Sequence, residues 1–167
     1  MKNIFLVGMP SSGKSTLGRQ LAKAIGYKFV DMDELIERHE NQTIPEIFKW
    51  NGENHFREVE SKILKQFSPN QKLVIATGGG VPCFFDNMEW MNENGTTVYL
   101  QMEPAQLVSR LHNRQKRPLI RDMDDEQLLA FINMKLAERN PFYYKAKLIV
   151  NSFDLDAETL EQKIFQQ

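Results

Sequence analysis

Short, nearly unbroken apolar runs alternate along this chain with longer stretches whose apolar residues recur every three or four positions. Runs at 3–7, 28–31, 73–76, 96–100 and 147–150 predict strands. Apolar runs of this kind suit strands covered on both faces. The periodic stretches at 14–25, 33–40, 44–49, 53–66, 86–94, 104–113, 125–145 and 157–165 predict helices. The alternation predicts an α/β fold, a parallel sheet with helices on both faces. Thr43-Ile44-Pro45-Glu46 reads as a capping-box start with proline early in the first turn. Asn51-Gly52 then splits that stretch into two helices at an angle. No repeat or linker divides the chain, so 1–167 reads as one domain.

Composition narrows the class of protein without naming a chemistry. Apolar residues make up 41% and charged residues 26%, the mixture of an ordinary soluble domain. The net charge of −1 offers no general attraction for nucleic acid or membranes. One cysteine, Cys83, excludes an internal disulfide framework and fits a reducing compartment. It reads as a small hydrophobe in or near the core. The first residues already read as a core strand. No signal segment precedes them, and no apolar run approaches membrane-spanning length. The expectation is a cytoplasmic monomer.

Candidate chemistry begins immediately after the first strand. Gly8-Met9-Pro10-Ser11-Ser12-Gly13-Lys14-Ser15, followed by Thr16, is a complete G-x-x-x-x-G-K-[ST] phosphate loop between a predicted strand and helix. Its glycines let backbone N–H groups wrap a polyphosphate. The helix N-terminus adds roughly half a positive charge. Lys14 can reach the β and γ phosphates, and the Ser15 hydroxyl can ligate Mg²⁺.

The other half of a reaction must come from the remaining strand ends, where ligands of open parallel sheets gather. Asp31-Met32-Asp33 closes the second strand. Alternation in an extended segment would put both carboxylates on one side. One can serve a Mg²⁺ shell, and the other can accept or orient a hydroxyl proton. Asp33 is also a good helix cap, a role compatible with either task. Thr77-Gly78-Gly79-Gly80 follows the third strand. It suits a tight turn or, at this edge, a ligand brought close to the backbone. Arg57 shares a helical face with Glu60 and, by itself, reads as a surface ion-pair residue. The segment 112–124, HNRQKRPLIRDMD, is a basic loop between helices. In a polyphosphate-binding protein it reads as a lid, with arginines suited to phosphate.

Taken together, these segments resemble shikimate kinase. The matching pieces are GMPSSGKST, DMD, IPEIFKWNGENHFREVE, ATGGGV, RLHNRQKRPLI and RNPFYYKAK, in family order across nearly the whole chain. The resemblance implies a P-loop NTPase fold of the nucleoside-monophosphate-kinase type. That fold has a five-stranded parallel sheet, a substrate-binding region at about 32–61 and a lid at about 112–124. It implies ATP-dependent phosphorylation of the 3-hydroxyl of shikimate, with Mg²⁺. By motif, Asp33 would contact the reacting hydroxyl. Arg57 and Arg139 would hold the shikimate carboxylate, with Gly78, Gly79 and Gly80 lining the same pocket. Lys14 and Arg117 would act on the ATP phosphates, Arg110 would pack near adenine, and Ser15 and Asp31 would serve the metal. Phe48 and Phe56 would wall the carbocyclic ring. The chain departs from the family pattern in two places. No proline stands in Asn151-Ser152-Phe153-Asp154, where many members place one near adenine, and Ile120 replaces a frequent leucine. The competing readings are another small-molecule or nucleotide kinase of this fold and a non-catalytic nucleotide switch.

Overall fold

The computed structural model describes residues 1–111 and 119–166. Five strands, β1 (Asn3–Val7), β2 (Lys28–Asp31), β3 (Leu73–Ala76), β4 (Gly95–Gln101) and β5 (Leu148–Asn151), form one sheet in the order β2-β3-β1-β4-β5. Every neighbouring pair is parallel. β1 therefore lies centrally, and the phosphate loop leaves from the middle of the carboxyl edge.

Alternation along β1 assigns its residues to the two faces. Ile4 and Leu6 pack with Leu17, Leu21 and Leu160 from α1 (Lys14–Ile25) and α7 (Ala157–Phe165). Phe5 and Val7 face the opposite layer. That layer draws on α4 (Asn87–Asn94), α5 (Pro104–Arg110) and α6 (Asp125–Tyr143), joined by Met32 and Leu64. The sheet is covered on both faces, as the apolar runs require.

Between β2 and β3 the chain builds α2 (Met32–Glu40) and α3 (Ile44–Leu64). They form their own small core of Ile36, Ile47, Phe56, Val59 and Ile63. The Thr43 hydroxyl accepts the Glu46 N–H at 3.3 Å, closing the expected cap. Gly52, at φ 85 and ψ 168, breaks α3 where Asn51-Gly52 predicts an angle.

Differences from the predicted boundaries have local causes. α5 ends at Arg110, three residues early, because Leu111 leaves the helical region at ψ 44. α6 ends at Tyr143 rather than at 145, soon after Pro141, which has no N–H to donate. Cys83 ends a short 3-10 turn (Val81–Cys83) and is half-buried, next to the core residue Val81. Of the expected lid, 112–118 lies outside the described residues. Beyond it, Ile120 is buried in the main core and the Asp124 carboxylate caps α6 through the Gln127 N–H.

Candidate active site

At the carboxyl edge lies a cleft of about 670 Å³. Pro10, Ser11, Gly13, Lys14, Ser15 and Thr16 line one wall, with Asp31, Asp33, Gly78, Gly79 and Arg110 around the rest. A smaller pocket of about 150 Å³ adjoins it, lined by Ile44, Phe56, Arg57, Glu60, Gly80 and Arg139. Pro10, Asp33, Gly78 and Gly79 border both. The larger space is the phosphate-loop side. The smaller one carries two guanidinium groups, and Asp33 is the carboxylate at the junction.

The phosphate loop is held from beneath. Lys14 Nζ donates to the carbonyls of Gly8 at 2.6 Å and Met9 at 2.9 Å, which keeps the ammonium at the loop. Gly13 sits at φ 97, a conformation that favours glycine. A side chain at Gly8 would come within 2.8 Å of the Leu100 carbonyl. Ser12 is buried, and its carbonyl accepts a 2.7 Å hydrogen bond from the Ser152 hydroxyl. Ser152 follows β5, so the last strand fastens the loop that follows the first.

The two aspartates reach the cleft by a route that strand alternation does not describe. α2 begins at Met32, and Asp31 is its N-cap: Oδ1 accepts the Asp33 N–H at 2.9 Å. Asp33, already in the first turn, is left to face the junction. The other Asp31 oxygen lies 3.4 Å from the Ser15 hydroxyl. Burial, and then the charge of Asp31, holds the Asp33 carboxyl above its ordinary pKa against the pull of Lys14 and Arg57.

In the smaller pocket, Arg57 Nη1 donates to Glu60 Oε1 at 2.9 Å. The guanidinium carbon lies 4.2 Å from the Phe84 ring centre. Glu60 is 1% exposed, and burial pushes its carboxyl up to about 7 despite Arg57. Leaving either member of such a pair alone costs roughly 3–5 kcal/mol. The glycine run makes room for these groups. A Cβ at Gly78 would come within 3.1 Å of both Asp33 Oδ1 and Glu60 Oε2. One at Gly79 would come within 2.8 Å of Arg139 Nη1, and one at Gly80 within 2.5 Å of Arg57 Nη1. The three positions are small because charged site groups occupy the space.

The structure thus brings together Lys14, Ser15, Asp31, Asp33, Arg57, Gly78, Gly79, Gly80, Arg110 and Arg139. Arg110 lines the cleft beside Gly13, with its guanidinium carbon 5.5 Å from the Phe153 ring centre. Phe56 lines the smaller pocket, while Phe48 packs on Phe56 at 4.8 Å and is 38% exposed. Arg117 falls outside the described residues. Sequence reasoning missed Glu60 and Phe84 as parts of the site, and it put Ser152 in the loop near adenine without its bond to the phosphate loop. For Glu60 there was a signal, its place three residues after Arg57 on one helical face.

Known proteins resemble this chain in sequence and in fold. A family model described as shikimate kinase matches residues 10–167. The chain is 44% identical to the shikimate kinase of Phocaeicola vulgatus, over 93% of this chain and 90% of that one. It superposes on the crystal structure of the Bacteroides thetaiotaomicron shikimate kinase with a TM-score of 0.89 at 38% identity, covering 99% and 98% of the two chains. The Acinetobacter baumannii shikimate kinase in complex with shikimate gives a TM-score of 0.86 at 36% identity, covering 99% and 92%.

Proposed function

We propose a division of labour within this site from one premise: the chain belongs to the shikimate kinase family. Its reaction is phosphorylation of the 3-hydroxyl of shikimate by ATP, giving shikimate 3-phosphate and ADP. The product feeds chorismate and aromatic amino acid biosynthesis.

ATP takes the larger cleft. The loop from Gly8 to Ser15 wraps its phosphates, Lys14 meets the β and γ groups, and Arg110 with Phe153 flanks the base. Shikimate takes the smaller pocket, where Arg57 and Arg139 grip its carboxylate and Phe56 walls its ring. Asp33 accepts the hydrogen bond of the 3-hydroxyl and aims its oxygen at the γ-phosphorus. The new O–P bond forms as the bond to the bridging oxygen breaks. ADP leaves, and the hydroxyl proton passes to Asp33. The raised proton affinity of this buried carboxylate suits it to that task. Arg117 is assigned to the transferring phosphoryl group, by family motif alone.

The residues fit Mg²⁺. Two hard oxygens, Ser15 Oγ and Asp31 Oδ2, stand side by side at the cleft wall. An ion completed by phosphate and water needs one or two protein ligands, not a dense cluster. Bound there, Mg²⁺ would neutralise charge on the phosphates. The working assignment is a monomer, acting in the cytoplasm where ATP is available.

The observation that carries this reading is the position of Asp33 between a phosphate-loop cleft and a pocket with two arginines. That pocket, at about 150 Å³, holds two guanidinium groups, which suits a small carboxylic acid. The test is ADP release by purified protein with ATP and Mg²⁺, against shikimate, gluconate and nucleoside monophosphates. Release is expected with shikimate. Release only with another acceptor, or with none, contradicts the assignment.

A further inference from the structure

We infer that Tyr143 is a positioning residue of the acceptor pocket: its phenol ties the Gly79 carbonyl to the turn of α6 that carries Arg139. The inference rests on the acceptor reading above. Tyr143 is fully buried, and its hydroxyl donates to the Gly79 carbonyl at 2.6 Å. Burial raises the proton affinity of the phenol, so it remains a donor at every physiological pH. Arg139 lies one helical turn earlier on the same face of α6. Arg139 Nη1 in turn sits 2.8 Å from where a Cβ of Gly79 would be. Phenol, guanidinium and glycine backbone therefore meet at one point.

Both partners need such a tie. The glycine run has no side chains to hold it. The Gly78 carbonyl accepts the Val81 N–H at 3.1 Å, and the Gly80 carbonyl accepts the Cys83 N–H at 3.0 Å. Between them the Gly79 carbonyl is the one that Tyr143 takes. Because a peptide is planar, fixing that carbonyl also fixes the Gly80 N–H in the opposite direction. On the helix side, Pro141 stands between Arg139 and Tyr143 and removes one backbone hydrogen bond from this turn. Side chains make up the loss. Tyr99 Oη donates to Asn140 Oδ1 at 2.9 Å, and the Tyr99 and Tyr143 rings pack at 4.8 Å. Tyr99 braces the helix, whereas Tyr143 connects it to the pocket.

Tyr143→Phe keeps the ring and removes the tie. Its KM for shikimate should rise about tenfold, with the KM for ATP unchanged. Tyr99→Phe, which removes the neighbouring phenol that faces Asn140, should keep the wild-type KM for both substrates. An unchanged shikimate KM in Tyr143→Phe, with only a lower unfolding midpoint, would assign Tyr143 to stability alone and overturn the inference. An equal rise in Tyr99→Phe would overturn it too, by showing general loosening of α6. A wild-type chain without shikimate-dependent ADP release removes the acceptor reading, and this inference with it. An active wild type with an unaffected Tyr143→Phe removes the inference alone. If Tyr143→Phe does not fold, 3-fluorotyrosine placed at 143 gives a second measurement. Its fluorine resonance should shift when shikimate is added without ATP, and a resonance that stays put refutes the role.

Discussion

Replacing Gly80 by alanine should damage acceptor binding while leaving the fold and the nucleotide cleft intact. The backbone at Gly80 has φ −91 and ψ −10, a conformation open to any residue. The damage is therefore steric. The new methyl would stand 2.5 Å from Arg57 Nη1, 2.7 Å from Nη2 and 2.8 Å from Cζ. Favourable non-bonded contacts begin near ~3.5 Å, so the guanidinium must retreat by about 1 Å. It is not loose enough to do so without loss. Glu60 holds Nη1 at 2.9 Å, and the Phe84 ring centre lies 4.2 Å from the guanidinium carbon. Hydrogen bonds to charged groups are worth about 1.5–3 kcal/mol. A loss of ~2 kcal/mol raises the KM for shikimate about thirtyfold. Initial rates of ADP release, varied separately in shikimate and ATP, read this directly, with thermal unfolding as the control for fold. An unchanged shikimate KM refutes the placement of Arg57. A parallel rise in the ATP KM refutes the separation of the two pockets.

Other perturbations address the remaining parts of the site. Asp33→Asn should lower kcat by roughly 10²–10⁴, the range for losing a general base, with ATP binding by calorimetry little changed; wild-type turnover would remove Asp33 from the chemistry. Glu60 has a folded pKa of about 7 against an ordinary value of 4.5. Its stabilising contribution is thus full below pH 4.5 and is lost as pH rises through about 7, a change of about 3 kcal/mol. Urea unfolding should show the wild type losing stability relative to Glu60→Gln across that window, and parallel pH profiles would contradict the burial argument. Ser152→Ala removes the 2.7 Å bond to the Ser12 carbonyl. It should raise the ATP KM several-fold while sparing the shikimate KM, at a stability cost of about 1 kcal/mol; an unchanged ATP KM would make that bond irrelevant to the loop.

Much of this fold was legible because its signals are local. β1, with five buried residues in succession, and α1, opening at Lys14 after a glycine, fall where pattern and motif predict. The break at Gly52 was legible from one dipeptide. The Asp31–Asp33 arrangement was less so, because capping geometry and not strand alternation sends the two carboxylates to one cleft. The Glu60–Arg57 pair was half legible. Their shared helical face follows from spacing, but the burial that raises the Glu60 pKa depends on the glycine run packing against α3. The Ser152 anchor joins residues 140 positions apart, and no periodicity reports such a contact. A turn of glycines at the carboxyl edge, Gly78 to Gly80, was legible. That each yields space to Asp33, Arg139 or Arg57 emerged only with the side chains in place.

The central claim is that Asp33 joins a nucleotide cleft to a pocket holding shikimate by its carboxylate, with the 3-hydroxyl presented for transfer. Phosphorus NMR of the product formed from ATP, Mg²⁺ and shikimate tests it most directly. The account predicts a single phosphomonoester coupled to the proton on carbon 3, formed in step with ADP and lost in Asp33→Asn. A phosphomonoester at another hydroxyl, or ADP formed without any phosphorylated shikimate, would contradict it.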